Sequence, residues 1–373
     1  MRLAVYNVEN LFARAKAMNL GTWAEGKQVL VDHARFNTLI QKATYSAADK
    51  AGLLSLLEGL GLLEDDESDF VILRQSRGRL VKRPRGASPE IVASGRGDWT
   101  GWLELKTEPV DEIALQMTAK VIHECQADVL GVVEAEDRIA LREFNDQLVR
   151  PLGGKPYRHA MLVDGNDMRG IDVALLTRED YPISSICCHV DDAAADGTRI
   201  FSRDCPEYEV RLPSGESLWV LVNHLKSKGY GRPTESNARR KQQARRVREL
   251  YDARRASGAR FVAVMGDLND TPDSDPLSPL FENGSELANR DIFNHPKFQG
   301  DGRPGTYGNG TESNKIDYIL LSPALWQKVR GGGVLRMGVW GGKNGTLFPH
   351  YPEITGPAQA ASDHAAIWVD IDV

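Results

Sequence analysis

Short apolar segments recur along the chain, and several of them alternate apolar and polar residues in the way that half-buried β-strands do. Turn-forming residues bound these segments on both sides. The pattern predicts strands at residues 3–8, 128–134, 171–178, 218–225, 260–268, 315–322 and 364–373.

Amphipathic segments lie between the predicted strands, and their spacing predicts helices at residues 111–126, 139–152 and 236–256. In the last of these, Ala244, Val247, Leu250 and Tyr251 recur at helical spacing, while basic side chains occupy the outer face. Strands and helices thus alternate along most of the chain. This alternation predicts an α/β protein.

Residues 13–110 interrupt the alternation. They contain a Leu-rich amphipathic segment at 47–64, then a strand-like segment at 69–86 with a turn at Gly78, and then Trp99 and Trp102. This composition is not that of a linker. We predict an inserted subdomain at 13–110, helical at first and a hairpin afterwards, within a single domain that spans residues 1–373.

The overall composition is that of an ordinary globular protein, with 41% hydrophobic and 26% charged residues. No apolar run approaches the roughly 20 residues that a membrane span needs, and the N-terminal segment does not have the pattern of a secretory leader. The cysteines show no C-x-x-C spacing, so we expect free thiols and no zinc site among them. These features together predict a cytoplasmic protein without a membrane partner.

The net charge of −6 argues against nucleic-acid binding over the whole surface. Two segments are nevertheless basic. Residues 71–106 hold eight basic and three acidic residues, which leaves +5, and residues 239–255 hold eight and two, which leaves +6. Such segments are often solvated faces, but two of them in an acidic protein favour an anionic substrate. The basic residues at 77–85 are expected either to contact a nucleic-acid backbone or to be only solvated.

Acidic, amide and imidazole side chains follow the predicted strands, and the sequence GDLND at 266–270 is the densest case. Acceptor groups placed side by side repel each other unless a positive charge lies among them. Strand ends converge on one edge of a sheet, so we expect these groups to form a single site. Hard oxygen ligands without thiolates predict Mg²⁺ or Mn²⁺ in preference to zinc.

Six of these segments occur in the order YNVENLF, DVLGVVE, NHLKSK, GDLND, IDYILLS and SDH. This ordered set resembles the endonuclease/exonuclease/phosphatase superfamily over residues 1–12 and 111–373. The resemblance implies a four-layer α/β sandwich of two packed mixed sheets flanked by helices, with the active site at one rim. It also implies Mg²⁺-dependent hydrolysis of a phosphodiester by in-line attack of water.

The resemblance implies a set of metal ligands. Glu134 would be the main metal-binding carboxylate, helped by Asn7, with Glu9 and Asp363 nearby. Glu136 is a rival to Glu134, but its register fits the motif less well.

The resemblance also implies the catalytic groups. Asp267 would orient or deprotonate the attacking water, and His364, held by Asp317, would contact or protonate a phosphate oxygen. His224 matches the second histidine of the deoxyribonuclease-like branch, with Asp172 as the local candidate to orient it. The other expected site residues are Asn269 beside the phosphate, and Lys226, Arg169 and Asn223 as substrate-binding groups.

Three functions are compatible with these residues. The first is a nuclease acting on DNA or RNA, which makes nucleic acid the expected partner and requires no obligate protein partner. The second is a phosphatase or phosphodiesterase acting on a phospholipid or a small phosphorylated metabolite. The third is a non-catalytic scaffold, which needs at least one lost catalytic residue, and none is missing.

Overall fold

The computed structural model describes residues 1–18, 20, 23–229, 232–282 and 284–373. The chain divides into two compact units. The larger contains Met1–Phe12, Val110–Lys228 and Arg232–Val373, and the smaller contains Ala13–Pro109 together with Gly229. Within the described residues, no helix is long and apolar enough to span a membrane.

Strands form the framework of both units. Their bounds are β1 (Arg2–Asn7), β2 (Ala13–Ala15), β3 (Val71–Arg77), β4 (Val81–Lys82), β5 (Glu90–Ile91), β6 (Thr100–Leu105), β7 (Thr107–Pro109), β8 (Val129–Ala135), β9 (Tyr157–Leu162), β10 (Asp172–Arg178), β11 (Ile183–Cys187), β12 (Glu207–Arg211), β13 (Ser217–His224), β14 (Phe261–Asp267), β15 (Phe298–Gln299), β16 (Asp317–Leu321), β17 (Val329–Leu335) and β18 (Ala366–Ile371). Every predicted strand is present, with ends shifted by one or two residues.

The helices are α1 (Trp23–Leu39), α2 (Ala47–Gly59), α3 (Glu112–Cys125), α4 (Arg138–Phe144), α5 (Pro233–Ala256), α6 (Ser278–Phe281) and α7 (Pro323–Trp326). The predicted helix at 139–152 is α-helical only to Phe144, and it continues as a π-turn at Asn145–Val149 and a 3₁₀ turn at Arg150–Leu152. Pro151 lacks a backbone N–H and cannot extend a regular α-helix there.

Two mixed sheets make up the larger unit. Within the described residues, one has the strand order β15-β17-β18-β1-β8-β10-β9 and the other β11-β12-β13-β14-β16. The pair β1–β8 is parallel, as is β13–β14, whereas their outer neighbours β18, β10, β12 and β16 run antiparallel to them. The predicted α/β class with mixed sheets is confirmed.

Alternating side chains place each sheet between two apolar layers. Val5, Val133, Val222 and Met265 belong to one buried cluster that joins the inner faces of the two sheets. The residues of the opposite faces pack on helices: α3 and α4 cover the first sheet and α5 covers the second. Each fully buried Val or Leu stabilises this arrangement by about 1.5–3 kcal/mol. The order of layers is therefore helix, sheet, sheet, helix.

The smaller unit has its own core around Phe36, Leu57, Leu73 and Trp99. Trp99 is buried and its Nε1 donates to the hydroxyl of Tyr45 at 3.1 Å. The core therefore accounts for Trp99 without any ligand.

The strand-like segment at 69–86 does not fold back on itself as predicted. Instead β3 pairs with β6, and β4 pairs with β5. The reason lies in the side chains, because Leu73 and Leu103 are paired across β3–β6 and are both buried, whereas Pro84 cannot donate to a ladder. Arg83 donates to the carbonyls of Leu62 and Leu63 and so is committed to this unit.

Candidate active site

The ends of the central strands bring polar side chains from both sheets together. In the first sheet the last residue of β1, Asn7, lies beside Val133, so the next residue of β8, Glu134, projects at the same edge. In the second sheet His224 pairs with Asp267 across β13–β14, and Asp267 pairs with Asp317 across β14–β16. Nδ2 of Asn7 donates to Oδ2 of Asp267 at 3.3 Å, which joins the two edges.

The backbone at this edge is unusually constrained. Among the described residues, the non-glycine residues with positive φ are Glu9 (52°), Asn10 (67°), Gln126 (51°), Glu134 (70°) and Asn269 (57°). Gln126 ends a helix, but the other four lie within three residues of the ends of β1, β8 and β14. Left-handed conformations are unfavourable for residues with a Cβ and concentrate at functional sites. This observation marks the same edge as the sequence motifs did, independently of them.

His364 is held in one orientation. Its Nδ1 donates to Oδ2 of Asp317 at 2.8 Å, and the same oxygen accepts the hydroxyl of Thr306 at 2.6 Å. Nε2 therefore faces the site, 3.4 Å from Nδ2 of Asn7 and 3.9 Å from Oδ2 of Asp267. Burial lowers the pKa of His364, but the Asp317 carboxylate outweighs it, and the pKa lies well above the ordinary 6.5.

Asp267 is buried at the centre of the group. Its Oδ1 accepts the backbone N–H of Asn269 at 2.8 Å, while Oδ2 lies 3.7 Å from Nε2 of His224. Burial, and next the negative charge of Asp317, raise the pKa of Asp267 above its ordinary value of 3.8. The side chain of Asn269 donates from Nδ2 to the carbonyl of Leu225, so its orientation is fixed as well.

His224 has a partner that the sequence did not predict. Nη2 of Arg203 lies 3.1 Å from Nε2 of His224, and a guanidinium can only donate, so Nε2 is the acceptor. Burial, and next the charge of Arg203, hold the pKa of His224 well below 6.5. The neutral ring then carries its proton on Nδ1. Oε1 of Glu134 lies 3.7 Å from Nε2 of the same ring.

The structure corrects the prediction that Asp172 orients His224. Oδ1 of Asp172 accepts the backbone N–H of Gly165 at 2.8 Å, and among the described residues Nδ1 of His224 has no hydrogen-bond partner. The cause is an irregularity of the pairing between Asp172 and Val173, which turns the carboxylate toward the preceding loop. Burial raises the pKa of Asp172 to about 7.

The predicted substrate-binding residues differ in their access to the site. Asn223 is fully buried and its Nδ2 donates to the carbonyl of Leu221, so the structure corrects its assignment as a substrate contact. It precedes His224 on β13, and successive strand residues face opposite sides. Arg169 and Lys226 are partly buried, and Arg169 forms a bidentate ion pair with Asp167.

Other nearby carboxylates have structural partners. Glu136 accepts the backbone N–H groups of Leu11 and Phe12 through Oε1, at 3.0 and 2.7 Å. Asp137 caps α4, and Asp270 pairs with the buried Arg240 at 2.8 Å. Of the acidic residues in GDLND, only Asp267 belongs to the site.

The donor set at this edge suits a hard divalent cation. Glu134 projects there with the amide of Asn7. The Oε2 of Glu9 accepts the backbone N–H of Asp363 at 3.0 Å, and Oδ1 of Asp363 lies 3.6 Å from Nε2 of His364. Carboxylate and amide oxygens are the ligands that Mg²⁺ prefers. Atoms of Asp267, Asp317 and His364 also lie within 4.8 Å of one another. However, Oδ2 of Asp317 already accepts two hydrogen bonds, so the Glu134 group is the better candidate to hold such an ion.

A second cluster with possible metal ligands contains Cys187, His189 and Glu207. Here the ring nitrogens of His189 contact Asp192 and Glu207, at 3.2 and 2.9 Å, and both oxygens of Glu207 accept hydrogen bonds from Arg254. The charges alternate and compensate each other. The cluster is an ion-pair network that ties β12 to α5.

Comparisons with known proteins agree with this geometry. Residues 81–334, more than half of the chain, match the model of the Endonuclease/Exonuclease/phosphatase family. No curated protein sequence matches the chain.

Solved structures show the same fold. A mannosyl-6-phosphatase of Bacteroides thetaiotaomicron is 18% identical, with a TM-score of 0.50 over 70% of this chain and 92% of that one. An endonuclease/exonuclease/phosphatase family protein from the same organism is 17% identical, with a TM-score of 0.50 over 69% and 86%.

Proposed function

The chain belongs to the endonuclease/exonuclease/phosphatase family, and we propose that this phosphoesterase is a Mg²⁺-dependent phosphodiester hydrolase that cleaves nucleic acid. One observation carries the proposal. A buried carboxylate, Asp267, lies between two imidazoles, His224 and His364, within 3.9 Å of the Nε2 atom of each. The pKa of His364 is raised and that of His224 is lowered. Together with the carboxylate, these two rings form a set suited to acid–base chemistry on a phosphate ester.

Each group has a role that follows from its surroundings. His364, whose pKa is raised, is cationic at neutral pH and would donate to a phosphate oxygen from Nε2. His224 is neutral and would stabilise the phosphate beside it as Arg203 supplies charge. Asp267 would orient the attacking water and accept its proton.

A divalent ion held by Glu134 and Asn7, with Glu9 and Asp363 close by, would supply positive charge at the phosphate oxygens. The chain itself would then fix the direction of attack. Asn269 and Asn7 hold Asp267 through its two carboxylate oxygens, so the carboxylate cannot rotate freely.

The second histidine supports a diester substrate, because the His224 position resembles that of the deoxyribonuclease-like branch. The Arg-rich face of α5 supports a nucleic-acid substrate less strongly than its composition indicates. Arg246 pairs with Asp192 and Glu249, Arg248 with Asp252, and Arg255 with Glu286. Much of the positive charge of this helix is therefore compensated within the chain.

That compensation favours a second candidate function, a phosphatase or phosphodiesterase acting on a small phosphorylated metabolite or a phospholipid. A mannosyl-6-phosphatase shares the fold. A small substrate needs fewer uncompensated surface charges than a long polyanion, and the net charge of −6 suits it.

The test compares diesters with monoesters. The purified protein is incubated with Mg²⁺ and plasmid DNA, single-stranded DNA, RNA, bis-p-nitrophenyl phosphate or p-nitrophenyl phosphate, with a chelator in parallel. We expect chelator-sensitive cleavage of at least one nucleic acid and of the chromogenic diester. Faster turnover of the monoester than of every diester would favour the second candidate. Hydrolysis that persists in chelator would contradict the metal requirement.

A further inference from the structure

We propose that the smaller unit carries a binding face for single-stranded nucleic acid, on the outer side of the sheet formed by β3 and β6. The face is defined by Arg74, Arg77, Arg79, Thr100 and Trp102. The proposal deepens the proposed function, on which it rests, because it names single-stranded DNA or RNA as the class of substrate that the chain holds.

The pairing of β3 with β6 determines which side chains share this face. Arg74 lies opposite Trp102, and Arg77 lies opposite Thr100. Thr100 and Trp102 are two residues apart on one strand, so both point to the side away from the buried Leu103. The register shift that precedes Arg77 places two arginines three residues apart on the same face.

Trp102 is the aromatic group of the face. It is 40% exposed, whereas Trp99 is 2% exposed in the core of the same unit. Among the described residues, no other Phe, Tyr or Trp is as exposed. An exposed indole ring is a platform on which an unpaired base can stack, because every base has a flat π-face.

Two arginines of the face have no counter-ion. Both Arg77 and Arg79 are exposed, and neither side chain forms an ion pair or a hydrogen bond with any residue that the structure describes. They flank the turn at Gly78, where φ is 70°. A Cβ atom at Gly78 would lie 2.3 Å from the carbonyl oxygen of Asp98, so this turn packs against the residues just before β6. That packing keeps Arg79 close to the Thr100 end of the face.

The acidic residues on this side of the sheet are paired with other cations. Glu104 lies on the face and accepts two hydrogen bonds from Arg74, at 2.8 and 3.1 Å. Glu67, which bridges to the other edge of β3, pairs with Lys106 at 2.7 Å.

Two further carboxylates lie near the turn. The Oδ2 of Asp98 accepts the backbone N–H of Ser94 at 2.6 Å and forms no ion pair with either arginine. Glu90 lies opposite Lys82 across β4–β5. The positive charges of Arg77 and Arg79 are therefore available to an external anion.

An exposed ring beside uncompensated arginines suits a single strand, because guanidinium groups bind phosphates while the ring stacks on a base. A duplex presents the same phosphates but keeps its bases stacked inside, so it would gain nothing from Trp102. An anionic membrane surface is the other partner that cations and an exposed Trp can bind. One exposed ring offers little apolar area for insertion into lipid, which favours nucleic acid.

Fluorescence anisotropy in chelator measures binding separately from hydrolysis. The probes are oligothymidylate and oligouridylate of about 30 nucleotides and a duplex of the same length. We expect the wild type to bind at least one single strand about tenfold more tightly than the duplex. Trp102→Leu, which stays apolar but loses the ring, should weaken single-strand binding about tenfold, and Trp102→Phe should stay within about threefold of wild type.

The salt dependence of binding tests the two arginines. Each phosphate contact to a single strand contributes about 0.7 to the slope of log K against log salt, so Arg77→Gln combined with Arg79→Gln should reduce the slope by about 1.4. The matched control combines Lys27→Gln with Arg35→Gln, which removes two charges from exposed positions of α1 and should keep the wild-type slope.

Three results would overturn the proposal. They are unchanged single-strand binding in both Trp102→Leu and the double arginine variant, an equal loss in the α1 control, and tighter binding to vesicles of phosphatidylcholine and phosphatidylserine than to the single strands.

Hydrolysis of bis-p-nitrophenyl phosphate with Mg²⁺ separates this proposal from the proposed function. All these variants should hydrolyse it at the wild-type rate. If single strands bind as expected but neither they nor the chromogenic diester is hydrolysed, the proposed function fails while the binding face stands. If the diester and nucleic acids are hydrolysed but binding does not depend on Arg77, Arg79 or Trp102, the binding face fails alone.

Discussion

The side chains of His364 and Asp317 form a buried hydrogen bond, with Nδ1 of the ring 2.8 Å from Oδ2 of the carboxylate. Asp317 does not point into the site, because the same oxygen also accepts the hydroxyl of Thr306. Its effect on the reaction is therefore indirect: it fixes the ring and stabilises its protonated form.

Replacing Asp317 with Asn should move the pH dependence of the reaction. The carboxylate is the largest influence that raises the pKa of His364, against the lowering effect of burial. Without the Asp317 carboxylate, the His364 ring loses its proton at a lower pH. The alkaline limb of the kcat profile should therefore shift to lower pH. At the wild-type optimum we expect kcat to fall by about 10²-fold with little change in KM. A pH profile of kcat measures this, and an alkaline limb that stays in place would refute it.

Asp267→Asn should strongly lower kcat while leaving stability equal or higher. Burial raises the pKa of this carboxyl in the folded state. At a pH between the pKa of the unfolded state and that of the folded state, the folded protein therefore keeps a proton that the unfolded protein has lost. Wild-type stability therefore falls as pH rises through this window. Asn does not titrate, and its advantage in the free energy of unfolding should grow over the same range. Urea unfolding in chelator at several pH values checks the sign, and kcat should fall by about 10²-fold or more.

Much of this site was predictable, because polar residues that directly follow apolar strands are visible in the sequence. The geometry brings together Asn7, Glu134, His224, Asp267 and His364 as the motifs indicated. Strand periodicity indicated that these groups converge at one edge, and the resemblance to the superfamily selected them from neighbours such as Glu136. A strand fixes where its end lies and which face each residue takes.

Loops carry no such period, and the two charged residues that the sequence did not reveal lie there, whereas the two misassigned residues lie in strands β10 and β13. Arg203 and Asp167 belong to irregular segments, and nothing around them in the sequence distinguishes a buried ion pair from solvated charges. Asp172 was misassigned because a local irregularity in pairing turned it away. Asn223 was misassigned by one position, since a step of one residue moves a side chain to the other face.

Glu134→Gln should lower the affinity for a divalent ion. The carboxylate is the strongest acceptor of the proposed set, and an amide oxygen binds a hard cation less well. We expect Mn²⁺ affinity, measured by calorimetry, to fall by at least about tenfold, with a parallel loss of hydrolysis. Glu136→Gln removes the same charge two residues away, where the side chain caps the backbone of Leu11 and Phe12. Its Mn²⁺ affinity should stay within a few-fold of wild type, and equal losses in the two variants would contradict the assignment.

Arg240→Met should destabilise the fold far more than a neighbouring change of the same charge. Arg240 is fully buried and donates twice to Asp270 and once to the carbonyl of Lys226. Its removal leaves the nearly buried Asp270 carboxylate with Lys228 as its remaining ion-pair partner. Breaking a buried pair from one side costs about 3–5 kcal/mol, and the contact to Lys228 should keep the loss near the lower value. Lys241→Met breaks the exposed pair with Asp275 on the same helix and should cost about 0–1 kcal/mol. Urea unfolding of both variants measures the difference. Similar losses in the two variants would mean that Asp270 does not depend on Arg240. Asp270, the last residue of GDLND, would then have some role other than anchoring this helix.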